Sequence, residues 1–347
     1  MIDLRSDTQT RPSPGMRAAM AAAEVGDEQR REDPTVLALE ERAARFLGME
    51  EAVYLPTATM ANQIALAILG ERGTELLVEE TAHLVIAELG GAAAHAGLQT
   101  RGLPGERGRL SPEQLRAAVR PSDRFHVPRA SVVAVENTHN QAGGAVWPLD
   151  ELRAVVAAGR ELGLALHLDG ARIANAAVAL GVPAAALAHG FDTVTLCLSK
   201  GLGCPLGAVI AGSRELMARA RVEKHRFGGA MRQAGVVAAA GLYALEHNVE
   251  RLADDHARAR RLAQGWQERG VPVAGRVETN FVQVDVGVLG LSSEEALARL
   301  AEAGVGLSAT IRPDILRAVT HLDVDDDDVE RAIELVPQAL GTRARAA

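Results

Sequence analysis

Aromatic side chains are scarce in this chain: they form 3% of its 347 residues, against 48% for hydrophobic residues as a whole. Its core must therefore be built from Ala, Val, Leu and Ile, and composition gives no sign of wholesale disorder. Cysteine is limited to Cys197 and Cys204. Two cysteines in a chain this long exclude a disulfide scaffold, and they form no metal-spaced cluster, so a reducing compartment is expected. Positive charge is not in excess either: 37 Lys and Arg face 45 Asp and Glu, a formal net charge of −8. That balance argues against nucleic acid or an anionic membrane as partner. No apolar run approaches the length of a membrane span. The opening MIDLRSDTQT carries charges at once and has no apolar signal core. A cytoplasmic protein is expected.

What is present is alternation. Short apolar runs at 52–56, 75–80, 131–137, 164–169, 193–199 and 207–212 are bounded by Gly, Pro, Asn or Asp and read as strands. Runs apolar almost throughout suit strands buried on both faces, as in a mostly parallel sheet. Helical stretches lie between them. In DPTVLALEERAARFLG, Asp33 is placed to cap, Pro34 to start and Gly48 to stop a helix. The pattern is α/β and doubly wound. After about residue 245 it loosens into a long charged helix and a few short strands, which reads as a smaller α+β domain. The expected division is 1–245 and 246–347, with residues 1–15 contributing to the site of the larger part. The tail GTRARAA is expected to fray. The DVDDDD run at 323–328 reads as a solvated turn and helix start rather than a calcium loop, and no metal site is expected.

Three features could carry chemistry. Lys200, in LSKGLGCPLG, ends an apolar run. Lysines are mostly exposed, so a solvent lysine is the plainer reading. The other is an amine that forms a Schiff base with an aldehyde, with the glycines at 201, 203 and 207 giving a cofactor close access to the backbone. Asp169 ends the run LALHLD, where an unpaired carboxylate is costly. Its partner is either the nearby Arg172 or a protonated pyridine nitrogen, as in enzymes of pyridoxal 5'-phosphate (PLP). One strand–helix–strand step separates Asp169 from Lys200, which puts both at the carboxyl edge of a parallel sheet. The turn YLPTATMAN, with Thr57, Ala58 and Thr59, could cradle a phosphate on backbone amides or simply be capped by a threonine.

Taken together, LRSDTQTRPS, DPTV, LPTATMAN, AH at 82–83, ENTHN, LHLDGARI, LSKGLGCPLG, GGAMRQAG and RAVTHLDV follow one another across more than 300 residues. In this order the chain resembles the low-specificity L-threonine aldolases, fold-type-I PLP enzymes of aspartate-aminotransferase-like architecture. The resemblance implies a carbon–carbon lyase that cleaves L-threonine, L-allo-threonine and related β-hydroxy-α-amino acids to glycine and an aldehyde. It makes Lys200 the Schiff-base lysine and Asp169 the partner of the pyridine nitrogen. His83 becomes the imidazole stacked on the cofactor ring and the first candidate for the base, with His126 as a second active-site histidine. Ser6, Arg172 and Arg317 would hold the substrate carboxylate, with Arg172 also near the cofactor's phenolic oxygen. Arg232 would reach the phosphate of a neighbouring subunit, which requires a homo-oligomer, a dimer with shared sites and typically a tetramer. A β-eliminating lyase on the same fold is the alternative. Three departures stand out: Arg30 and Arg31 where relatives carry Tyr and Gly, Ala58 for a usual glycine, and His225 for a lysine.

Overall fold

All six apolar runs become strands of one seven-stranded sheet. The computed structural model describes residues 1–120 and 125–342; of the tail expected to fray, residues 343–347 lie outside the described residues. The strands are β1 (Glu51–Leu55), β2 (Glu75–Glu79), β3 (Gln99–Leu103), β4 (Ala130–Glu136), β5 (Ala165–Asp169), β6 (Thr193–Cys197) and β7 (Ala208–Gly212). Their order across the sheet is β1-β7-β6-β5-β4-β2-β3. Strand β7 runs antiparallel to both neighbours, and all other pairings are parallel. Every residue of β2, β4, β6 and β7 is buried, which is why these segments read as unbroken apolar runs. Strand β3 was not foreseen. Its QTRGL sequence lies at the sheet edge with most side chains exposed, so no apolar run marks it.

Six strands pointing one way bring the segments after β1, β2, β4, β5 and β6 to a single carboxyl edge. Helices cover the faces. Helix α1 (Pro34–Leu47) forms as its sequence indicates, with Asp33 Oδ1 accepting from the Val36 amide and Gly48 closing the end at φ 66°. Helix α2 (Ala58–Leu69) follows β1, and α3 (Ile173–Leu180) follows β5.

A second core lies beyond the sheet. It gathers Leu262, Trp266, Val282, Leu316 and Ile333 around a four-stranded antiparallel sheet. Two segments join the cores in ways that bear on the expected division. Ile2 and Leu4 flank the polar Asp3 and bury in this second core, with Ile2 paired to Val305 in a short parallel ladder. The chain thus starts in the smaller unit before it reaches the larger one. The changeover at the other end falls within the helix Leu252–Glu268, whose Leu252 packs in the first core and whose Ala259 packs in the second. Among the described residues no helix is long and apolar enough to cross a membrane.

Candidate active site

Lysine is nearly absent: the chain has two, Lys200 and Lys224, against 35 arginines. Lys224 is buried on Glu28, and burial pulls its amine below the usual lysine value against the attraction of that carboxylate. Lys200 is different. It leaves β6 half-buried, its side chain makes no ion pair among the described residues, and its carbonyl accepts from Thr10 Oγ1 at 2.8 Å. The glycines around it are required by the loop itself. Gly207 has φ 115°, and a Cβ there would fall 2.8 Å from the Tyr54 ring; a Cβ on Gly203, at φ 80°, would meet Leu322.

Asp169 ends β5, 2% exposed. The adjacent Arg172 is not its partner, because that guanidinium holds Asp7 by two bonds of 2.7 Å. Asp169 instead accepts from Asn62 Nδ2 at 2.9 Å and from the Ala171 amide at 3.1 Å. Those are neutral donors, and the carboxylate has no ion-pair partner among the described residues. A buried carboxylate that faces a cavity and has no ion-pair partner of its own among the described residues fits a protonated pyridine nitrogen. The donor set therefore suits PLP: an unpaired amine, an unpaired buried carboxylate and a helix N-terminus on one edge.

Asn62 organises what lies beneath. Its amide nitrogen serves both Asp169 and Glu88, each at 2.9 Å, so its carbonyl faces His167 Nε2 at 3.1 Å. His167 must then donate from Nε2 and accept from Thr193 Oγ1 at Nδ1, a neutral imidazole. Burial pushes its pKa down to about 4. His83 begins the short helix after β2. Its amide donates to Glu136 Oε2 at 2.7 Å, and its Nδ1 lies 2.8 Å from Glu88 Oε1. The hydrogen bond to Glu88 raises its pKa, helped by the charges of Asp169 and Glu88, and outweighs burial and Lys200.

The second core contributes Arg317. Its Nη1 donates to Asn140 Oδ1 at 2.7 Å, and its Nε is buried without a partner. Arg172 and Arg317 both lie against the Phe281 ring, at 4.9 and 5.2 Å from its centroid. Burial, then Arg172, lowers the pKa of Arg317 to about 10. Arg317 is thus a desolvated guanidinium with no carboxylate among the described residues, whereas Arg172 is already neutralised by Asp7. Ser6 lies on the same cavity wall, its Oγ accepting from Thr8.

At the end of β1, Thr57 caps α2 by accepting from the Met60 amide at 3.1 Å. Capping does not use up the helix N-terminus, because the amides of Ala58 and Thr59 have no intrahelical acceptor and stay available to an anion. Ala58 lines the cavity, which has a volume of ≈ 150 Å³. A larger cleft of ≈ 420 Å³ lies elsewhere, over the ion pairs Arg258–Asp326 and Arg261–Glu330, and offers no such chemistry.

Not every expected residue meets in this cavity. His126 is exposed in the turn before β4. The site is at the other end of that seven-residue strand, roughly 20 Å away, so within one chain His83 is the only one of the two histidines at the cavity. Arg232 is exposed and bonded to Asp27, outside its own cavity. Arg30, Arg31 and His225 are likewise exposed and line no part of it. Sequence reasoning missed Glu88, Asn62, Asp7, Glu136 and Asn140. The last four lie within quoted segments (MAN, LRSD, ENTHN), but polar residues in such segments carry no mark of what they will touch.

The chain matches the family described as Beta-eliminating lyase over residues 3–288. It is 43% identical over 331 residues to the low specificity L-threonine aldolase of Escherichia coli K12, covering 95% of this chain and 96% of that one. It is 41% identical over 337 residues to the probable low-specificity L-threonine aldolase 2 of Arabidopsis thaliana, covering 95% and 94%. The threonine aldolase of Leishmania major shares the fold, with a TM-score of 0.84 over 97% of this chain and 99% of that chain at 19% identity. A fold-type-I sheet, the segments quoted from its sequence and these likenesses agree: the chain belongs to the low-specificity L-threonine aldolases of the beta-eliminating lyase family.

Proposed function

We propose that this protein is a PLP-dependent carbon–carbon lyase that cleaves L-threonine, L-allo-threonine and related β-hydroxy-α-amino acids to glycine and an aldehyde. One observation carries the reading: Lys200, the only lysine without a carboxylate partner among the described residues, shares a cavity with the Asp169 carboxylate, unpaired among the same residues, and the His83 imidazole. Bound PLP supplies an electron sink for the pair released when the Cα–Cβ bond breaks. Lys200 would hold its aldehyde carbon, Asp169 would accept from its ring nitrogen, and the Ala58 and Thr59 amides would meet its phosphate. Arg317 takes the substrate carboxylate, with Ser6 and the remaining N–H groups of Arg172 beside it. That clamp fixes which Cα bond stands ready to break. His83 takes the β-hydroxyl proton.

The finer parts of the reading are a cytoplasmic homo-oligomer, at least a dimer and in full form a tetramer, with Arg232 serving a neighbouring subunit's phosphate site. His126, remote from its own cavity, enters the chemistry only through such an assembly. The division into 1–245 and 246–347 belongs to the same reading, with Ile2–Leu4 transferred to the smaller part. A β-eliminating lyase is the second reading, because the matching family carries that description. Incubation of PLP-loaded protein with L-threonine and with L-allo-threonine separates the two. Glycine and acetaldehyde in equal amounts are expected; ammonia and a keto acid without glycine would overturn the aldolase reading.

A further inference from the structure

Glu88 lies five residues after His83, just beyond the single helical turn that His83 begins. It is 5% exposed, and its carboxylate accepts from three side chains: His83 Nδ1, Asn62 Nδ2 and Gln63 Nε2. The turn around it is specialised. Leu89 is fully exposed yet adopts φ 53°, and Gly90 follows at φ 71°, so the chain reverses directly after Glu88. At the next position, a Cβ on Gly91 would fall 2.5 Å from the Gln63 amide that anchors the carboxylate. The E-L-G-G sequence therefore fits one task, to fold Glu88 back beneath His83 and leave room for its second anchor.

We propose that Glu88 is the positioning residue of the candidate base: it fixes His83 as the Nδ1–H tautomer and makes Nε2 the proton-accepting nitrogen. This rests on the reading of His83 as the base. A carboxylate whose oxygens already receive Asn62 and Gln63 can only accept from the imidazole, so the Nδ1 proton is fixed there. The other nitrogen then presents its lone pair to the cavity. Asn62 adds a second constraint. Its two N–H groups separate Glu88 from Asp169, whose carboxylates lie within 4.8 Å of one another and of His83. It cannot turn over, because its carbonyl would then face both carboxylates and lose His167. The base and the partner of the cofactor ring are thus held by one amide. The charged groups facing His83 are Glu88, Asp169 and Lys200 at the ring, and Glu136 at its backbone amide.

The test uses the full-length PLP-loaded protein labelled with 15N-histidine, with the His83 signals identified from a His83→Gln sample. Nitrogen–proton correlation spectra should show the Nδ1–H tautomer in the wild type. Glu88→Gln keeps an acceptor and removes the charge. It should lower the His83 pKa by about one unit and move the acid limb of the kcat/KM profile down with it. Glu88→Leu removes the acceptor as well; it should abolish the tautomer preference and lower kcat/KM at neutral pH at least tenfold. A wild-type His83 protonated on Nε2 would overturn the proposal, and so would Glu88→Gln with an unmoved His83 pKa and acid limb. Products from L-threonine are measured separately, so a failed aldolase reading leaves the tautomer result standing on its own.

Discussion

Asp7 and Arg172 form a buried two-point ion pair, Nε to Oδ2 and Nη2 to Oδ1, each 2.7 Å, in which Arg172 lines the cavity that also holds Lys200 and Arg317, and Asp7 lies behind it. Burial would raise the pKa of the Asp7 carboxyl, but the Arg172 guanidinium, with Lys200 and Arg317, holds it far below the usual range. A depressed folded-state pKa adds stability above the unfolded value of about 4 and loses it as pH falls below that. Asp7→Asn should therefore cost about 3 kcal/mol or more at pH 7 and show less further loss on acidification than the wild type. Urea unfolding at pH 7 and near pH 3 checks both statements.

Arg317 lines the cavity with no carboxylate partner among the described residues, and it is the guanidinium proposed to take the substrate carboxylate. Arg317→Ala should raise KM for the amino acid roughly 10- to 100-fold, with a smaller effect on kcat. Arg317→Lys should recover little, because an ammonium cannot reproduce the two-point fork. Arg172→Lys should harm stability as well as KM, since it strands Asp7. Steady-state kinetics alongside thermal melts separates these outcomes.

A second acid-side effect comes from histidine. Burial lowers His167 and His256 to a pKa of about 4. The unfolded chain gains protons at these sites as pH drops below about 6.5, while the folded chain does not. Stability from both is intact above that pH and is lost on the way down to 4. The denaturation midpoint should fall steadily across that window, before the Asp7 effect begins. A midpoint flat from pH 7 to 5 would contradict the neutral His167 on which the Asn62 geometry depends.

Much of the fold and part of the site could be read from the sequence, for identifiable reasons. Strands buried on both faces announce themselves as apolar runs, and Asp33, Pro34 and Gly48 mark their helix unambiguously. Strand β3 could not be read, because an edge strand with polar side chains has no hydrophobic period. Ile2 and Leu4 were too short a segment to show which core they join. Lys200 and Asp169 were accessible because an ionisable residue ending an apolar run is unusual. Glu88 was not: a glutamate in AELGG looks like any surface glutamate until the turn at Leu89 and Gly90 folds it inward. The near-absence of lysine was legible throughout, and it singles out Lys200 once Glu28 is known to occupy Lys224.

Thr57 joins stability to cofactor binding. Thr57→Ala removes the cap of α2 and should cost about 1 kcal/mol. The freed Met60 amide and a frayed first turn should also weaken PLP several-fold. Thermal melts and a fluorescence titration with PLP measure the two effects; lower stability with unchanged PLP affinity would place the phosphate elsewhere.

The central claim is that Lys200, at the carboxyl edge beside Asp169, carries the cofactor. With two lysines in the chain, chemical mapping decides it directly. PLP-loaded protein is reduced with borohydride, digested and analysed by mass spectrometry. The account predicts a pyridoxyl group on the peptide containing Lys200 and none on that containing Lys224. A label on Lys224 or on the N-terminal amine, with Lys200 unmodified, would contradict it.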